Sequence, residues 1–271
     1  MYIDSHQHFW NYDPKRDAWI TDQMSAIQRD FTPEDLEGLL KQNNIDGCVA
    51  VQSDQSEEET HFLLSLADKY DFIKGVVGWV DLHAENLTGR LSYFSGFEKF
   101  KGIRHIVQEE PLGFMDRPEF VEGIRSLDAF DKTYDILIKP PQLAEAIRLV
   151  EKFPDQKFVL DHIAKPRISK GLNQKWASEI RELASHTNLY CKVSGMVTET
   201  DDFNWDSGDF TVFLEFITAT FGTDRIMFGS DWPVCLLAAS YQQVKSIITD
   251  FYSPLELDKI MGENAVRFYK L

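Results

Sequence analysis

Close to its amino terminus the chain reads Tyr2-Ile3-Asp4-Ser5-His6-Gln7-His8-Phe9-Trp10, with two histidines two residues apart at the end of a short apolar run. Side chains alternate faces along a strand, so His6 and His8 are expected to point the same way, with Asp4 on that face beside them. Two imidazoles converging at a strand end can hold a metal ion, a water molecule or a substrate oxygen. Such a pair needs partners from elsewhere in the chain. The strongest is Asp231, in the turn Gly229-Ser230-Asp231-Trp232-Pro233 directly after an apolar run. A buried carboxylate without a partner would be costly there.

What must position these residues is an alternation of strands and helices. Thr32-Pro33-Glu34-Asp35 opens a helix, with a cap, a proline at the first helical position and acids in the first turn. Ser56-Glu57-Glu58-Glu59 is a capping box that opens a second. After the opening strand, strand-like runs follow at Ile45–Gln52, Ile73–Val80, Gly102–Val107, Tyr134–Lys139, Lys157–His162, Leu189–Val193 and Arg225–Phe228. Helical periodicity marks Pro118–Phe130, Gln142–Phe153, the stretch from Trp176 to Ala184, Phe213–Phe221, Tyr241–Phe251 and Leu255–Tyr269, while Asn11–Arg29 reads as a loop lying over something. The strands are apolar throughout, as expected when both faces are covered. Eight of them alternate with helices over 271 residues and no linker divides the chain. The expected fold is therefore α/β, a single-domain (β/α)₈ TIM barrel over residues 1–271, in preference to a doubly wound open sheet. No glycine-rich dinucleotide loop follows the first strand.

A barrel of this kind builds its site at the carboxyl ends of its strands. Polar side chains collect there: His6 and His8; Gln52, Ser53 and Asp54; Arg104, His105 and Gln108; Lys139; Asp161 and His162, with Lys165-Pro166 beyond; Lys192; and Asp231. Of adjacent residues only one can face the axis, and period two alone leaves open Arg104 against His105 and Asp161 against His162. Trp10, Trp19, Trp79 and Trp232 lie near the same ends, where aromatic faces suit the apolar faces of sugar rings, and Gln52 and Gln108 could read hydroxyls.

A formal net charge of −16 argues against nucleic acid or an anionic membrane as partner. The three cysteines, Cys48, Cys191 and Cys235, cannot all pair within the chain, and each lies in or beside an apolar run. That pattern, with no opening signal segment and no apolar run of about 18 residues, reads as a cytoplasmic protein with reduced thiols. Exposed helix faces are compatible with a homodimer.

The N-terminal HxH, the later strand-end His162 and the Gly-Ser-Asp-Trp-Pro turn together resemble the amidohydrolase superfamily, in its amidohydrolase-2 branch. Val77-Gly78-Trp79-Val80-Asp81-Leu82, Gly102-Ile103-Arg104-His105, Asp161-His162 with Lys165-Pro166, Cys191-Lys192-Val193-Ser194-Gly195 and Asn264-Ala265 before Arg267-Phe268-Tyr269 resemble, more narrowly, the sugar-lactone hydrolases that include L-fucono- and L-rhamnono-lactonases. The resemblance spans nearly the whole chain. It implies hydrolysis of a cyclic ester, with His6, His8, His162 and Asp231 at the catalytic positions and Arg104 on the substrate. Gln52, Lys139, Trp232, Trp79 and Gln108 are the further substrate-binding candidates. One departure concerns metal: strand five ends in Lys139 where metal-dependent members usually place a histidine. A binuclear centre does not fit. A single Zn²⁺ or other divalent ion on His6, His8 and Asp231 does, and so does a metal-free site.

Opening a lactone requires a deprotonated water, a polarised carbonyl and a protonated leaving oxygen. Asp231 is expected to act as general base, with the histidines, Arg104 or one metal stabilising the oxyanion, and then to return its proton to the ring oxygen. The alternative within the same branch is a metal-dependent decarboxylase.

Overall fold

Eight short apolar runs become eight parallel strands in chain order: β1 (Ile3–Gln7), β2 (Gly47–Val51), β3 (Ile73–Gly78), β4 (Phe100–His105), β5 (Thr133–Ile136), β6 (Phe158–Leu160), β7 (Leu189–Val193) and β8 (Ile226–Phe228). The computed structural model describes residues 1–271. Helices cover the outside: α1 (Pro33–Gln42), α2 (Glu57–Lys69), α3 (Leu87–Ser95), α4 (Pro118–Asp128), α5 (Leu143–Lys152), α6 (Gln174–Ala184), α7 (Ser207–Phe221) and α8 (Tyr241–Thr249). The result is a (β/α)₈ TIM barrel in one domain. Helix α3 was not legible in the sequence: Asn86 makes no side-chain cap and Gly89 interrupts a short pattern. No helix is long and apolar enough to cross a membrane.

Two apolar layers hold the barrel. The larger packs the outer strand faces against the helices. The smaller fills the lower interior with Ile3, Val49, Val51, Val77, Val159 and Met227, plugged from below by Ala265, Phe268 and Tyr269. Those last three come from a C-terminal segment in which α9 (Pro254–Asp258) and α10 (Asn264–Tyr269) are joined by a π-helical turn. Above this floor the interior turns polar, and all the chemistry described below stands there.

The barrel closes between β1 and β8 without a regular ladder. Past the end of β8, the Asp231 N–H donates to the His6 carbonyl at 2.8 Å, and the His8 N–H donates to the Trp232 carbonyl at 2.7 Å. The Ser5 hydroxyl donates to the Phe228 carbonyl at 2.6 Å. Gly229 allows this approach, since a Cβ there would lie 2.6 Å from His6 Cβ and 3.1 Å from Ser194 Cβ.

One expectation about β1 is corrected. Asp4 pairs with Cys48 but Gln7 pairs with Ala50, so three steps on β1 match two on β2. This β-bulge shifts the alternation by one residue. His6 and His8 face the barrel interior, whereas Asp4 faces the helix layer on the side of Cys48. There its carboxylate accepts from Ser230 N at 2.9 Å, Ser230 Oγ at 2.6 Å, Tyr241 Oη at 3.0 Å and, across the bulge, His6 N at 3.2 Å. Burial nonetheless raises Asp4 to about 6.

Gly229→Ala should force β1 and β8 apart and lower the unfolding free energy by about 1–3 kcal/mol, the usual cost of overpacking. Chemical denaturation reads this directly. A parent-like midpoint would mean that the seam is not tightly packed.

Candidate active site

His6, His8, His162 and Asp231 converge at the carboxyl end of the barrel although they come from β1, the turn after β6 and the turn after β8. His6 Nε2 is 3.2 Å from His8 Nε2, and both face Asp231 Oδ1, at 3.8 Å and 3.3 Å; His162 Nε2 lies 4.0 Å from the same oxygen. All four residues are buried, and Asp231 Oδ1 has no hydrogen-bond partner. A buried orphan oxygen costs about 1–3 kcal/mol or more for a charged group, so something is expected to use it.

Burial works against the Asp231 carboxylate, but as pH falls the protonated forms of His162, His8 and His6 more than offset it and hold the group below the usual carboxylate range. Burial pushes His162 down to about 4, against the attraction of Asp231. His6 is also pushed far down, by burial first; Asp161 opposes the shift while Lys192 and His162 add to it. At neutral pH the arrangement is an ionised carboxylate facing uncharged His6 and His162.

Beneath His6 lies a charged layer. Lys192 Nζ donates to Asp135 Oδ2 at 2.5 Å, lies 3.0 Å from Asp161 Oδ1, and lies 3.2 Å from His6 Nδ1. Arg104 bonds Asp161 Oδ2 at 3.1 Å and the Gln52 carbonyl, and its Nη1 lies 3.3 Å from His6 Nε2. Although burial opposes it, Lys192, His6 and Arg104 keep Asp161 well below its ordinary value. Tyr269 of the floor donates to Asp135 at 2.7 Å, tying the C-terminal helix to this layer. Asp135 escaped the sequence reading, its only signal being an aspartate inside an apolar run, and Tyr269 entered it only within a motif of the resemblance.

Proton positions follow from the partners. A carbonyl only accepts, so His8 Nδ1, 2.7 Å from the Val51 oxygen, carries its proton and leaves Nε2 bare. His6 then has two self-consistent forms. With Lys192 donating to Nδ1, its proton is on Nε2 and bridges to His8. With the proton on Nδ1 facing Asp161 Oδ1 at 3.4 Å, the Nε2 atoms of His6 and His8 both present lone pairs, that of His6 with Arg104 Nη1 3.3 Å away. The second form, with the orphan Asp231 oxygen, fits a single divalent ion on His6, His8 and Asp231, whose ligand atoms all lie within 4.8 Å of one another.

The two adjacent-residue ambiguities resolve differently. Arg104 faces inward, while His105 turns outward to Glu110 at 2.9 Å and stacks on Phe114. Asp161 and His162 both face inward, because the backbone leaves the strand. His162, Ile163, Ala164 and Lys165 all have positive φ, between 48° and 59°. Such a conformation costs about 1–3 kcal/mol per residue and persists only where the surroundings impose it. Asp231 is likewise at φ 57°.

A cavity of about 450 Å³ opens above this nest. It is lined by His8, Arg104, His162, Lys165 and Asp231 among others, with Trp10 and Trp19 on its wall and Gln108 and Glu109 at its side. Gln108 Oε1 is buried without a partner. Four candidates lie elsewhere. Gln52 is fully buried and engages Arg104 instead of the cavity, its side chain donating to the Arg104 carbonyl at 3.0 Å. Lys139 is half exposed and paired with Glu109 at 3.0 Å. Trp79 turns toward His105 at 3.4 Å, and Trp232 is buried against Phe9 and Phe31. In each case proximity to a strand end was the signal, but the side chain follows its local backbone and not the barrel axis.

The amidohydrolase family model matches residues 3–271. Two proteins named L-fucono-1,5-lactonase are similar over 99% of this chain: that of Burkholderia multivorans is 37% identical over 96% of its own length, and that of Burkholderia ambifaria 33% over 95%. A crystal structure of an amidohydrolase from Burkholderia multivorans with bound zinc is 37% identical and superposes with a TM-score of 0.95, covering 100% of this chain and 99% of that one.

The depressed His162 predicts a pH signature. Below about 4 the native and unfolded forms both bind the proton, and above the ordinary value of 6.5 neither does. Between those limits only the unfolded chain binds it, so this contribution is complete above 6.5 and is lost as pH falls toward 4. In urea titrations of chelator-treated protein, His162→Gln should lose less stability than the parent across that window. Parallel losses would show that His162 does not titrate there.

Proposed function

The chain belongs to the amidohydrolase family, and from that premise we propose that it opens the ring of a sugar-acid lactone, of the L-fucono or L-rhamnono type, to the aldonic acid. The observation that carries the reading is the orphaned Asp231 Oδ1, ionised and buried at the base of a cavity of about 450 Å³, facing His8 Nε2 at 3.3 Å and His162 Nε2 at 4.0 Å. The lactonase relatives, alike over nearly their whole length, support the substrate class.

In this mechanism Asp231 takes a proton from a water on the cavity side that contacts both Asp231 Oδ1 and His8 Nε2. The hydroxide attacks the lactone carbonyl. Arg104, clamped by Asp161 and the Gln52 carbonyl, supplies fixed positive charge near the developing oxyanion, and His162 is held by its contact with Ser194 Oγ at 2.9 Å. Preorganised charge is effective here because the surrounding residues exclude water. Gln108, with its unpartnered oxygen, accepts from a sugar hydroxyl, and Trp10 and Trp19 offer apolar faces to the ring. A divalent ion, when bound by His6, His8 and Asp231, would polarise the carbonyl and acidify the water. The zinc in the related crystal structure makes that ion the first to try.

A pH-indicator screen of sugar 1,4- and 1,5-lactones, run with and without chelator, tests the reading. Acid release from a 6-deoxy sugar lactone is expected. Carbon dioxide from an aromatic acid, with no lactone opened, would favour a decarboxylase instead. Loss of rate in chelator, restored by zinc, would assign the ion to the working site; an unchanged rate would assign catalysis to the proton-bridged His6–His8 pair.

Asp231→Asn keeps the shape of the side chain but removes the base, and should lower kcat by about 10²–10⁴-fold while the fold persists. Near-parent turnover would remove Asp231 from that role.

A further inference from the structure

Lactone opening needs a proton donor as well as a base: the ring oxygen departs as an alkoxide and must receive a proton, and Asp231, held far down as an ionised carboxylate, is a poor group to return it. The four cations near the site differ in what they have left to give. Lys192 is bound to Asp135 and surrounded by Asp161 and His6. Arg104 is committed to Asp161 and to the Gln52 carbonyl, and its remaining Nε is buried without a partner. Lys139 points outward onto Glu109. Lys165 alone lines the cavity beside His162 and Asp231 with its N–H donors unspent. Its nearest carboxylate oxygen, Glu199 Oε1, is 3.7 Å away, close enough to attract the ammonium and too far to take a hydrogen bond.

The backbone gives Lys165 this position at a cost. The left-handed turn from His162 to Lys165 is closed by the Lys165 N–H donating to the His162 carbonyl at 2.8 Å. Its two middle residues, Ile163 and Ala164, are buried in the core, and Trp176 Nε1 donates to the Ile163 carbonyl at 3.2 Å. Only the first and last side chains reach the cavity. The strained turn thus presents one imidazole and one ammonium to the same small space.

We infer that Lys165 is the catalytic acid that protonates the leaving ring oxygen. The inference rests on the lactonase reading above and replaces the return of that proton by Asp231. Water adds to the carbonyl carbon as Asp231 takes its proton. The tetrahedral intermediate collapses, the bond between carbonyl carbon and ring oxygen breaks, and the Lys165 ammonium transfers a proton to that oxygen to give a hydroxyl. The new carboxylic acid and the protonated Asp231 each lose a proton to solvent, and the lysine amine regains one. The net change is one aldonate and one proton.

The test compares a sugar 1,5-lactone with its ring-sulfur analogue, the 1,5-thiolactone, in the full-length protein. A thiolate is a far better leaving group than an alkoxide and departs without an acid. Lys165→Met should lower kcat on the oxygen lactone by about 10²-fold or more, the usual worth of general acid catalysis, and change kcat on the thiolactone by no more than about threefold. Lys165→Arg keeps the charge but does not release a proton, and should fail like the methionine variant on the oxygen lactone alone. Equal losses on both substrates in Lys165→Met, or full activity on the oxygen lactone in either variant, would overturn the assignment. Parent protein that opens neither substrate would sink the lactonase reading itself, a result distinct from either.

Discussion

The site depends on the way the barrel closes. Between β1 and β8 the strands share only two main-chain bonds in the region of the chemistry, His6 to Asp231 and Trp232 to His8. The same peptide groups carry the side chains that converge on Asp231 Oδ1. Closing the barrel and assembling the nest are therefore one event. Asp4 reinforces it from the far side of β1, accepting from Ser230 and Tyr241 and bracing the bulge through His6 N. The bulge is what allows one short strand to send a carboxylate outward to hold the seam and two imidazoles inward to face Asp231.

A second constraint is charge below the surface. Lys192, Arg104, Asp135 and Asp161 are all buried within the barrel. Desolvating each ion costs several kcal/mol, and only mutual pairing at short distance offsets it. Their signs balance two to two. This layer is a poor source of stability compared with an apolar core of the same volume. It contacts both His6 nitrogens, and keeps Arg104 rigid and aimed. Stability comes instead from the apolar floor and from the helix layer outside.

The cavity sits in a chain whose net charge is −16. In the cavity lining Arg104 and Lys165 balance Asp231 and Glu109, on the scale of a few ångströms over which charges act before screening removes them. An uncharged ligand would enter such a cavity without electrostatic opposition. The apolar wall of Trp10 and Trp19, packed edge to face with ring centres 6.0 Å apart, completes a pocket with one polar base and one aromatic side.

The sequence alone determined the architecture and the principal members of the nest. Period-two and period-3.6 patterns, capping boxes and eight apolar runs are local properties, and they specify a barrel whose strand ends must carry His6, His8, His162 and Asp231. Its sugar-lactonase resemblance rested on short motifs in fixed order. Only the tertiary structure decided the finer geometry. The bulge that turns Asp4 outward depends on pairing with β2, and the left-handed turn that brings Asp161, His162 and Lys165 to one space depends on the core around Ile163. Gln52, Lys139, Trp79 and Trp232 lie at strand ends yet outside the cavity for the same reason. A strand's period predicts direction only while the strand lasts, and the residues of the candidate site stand where it stops.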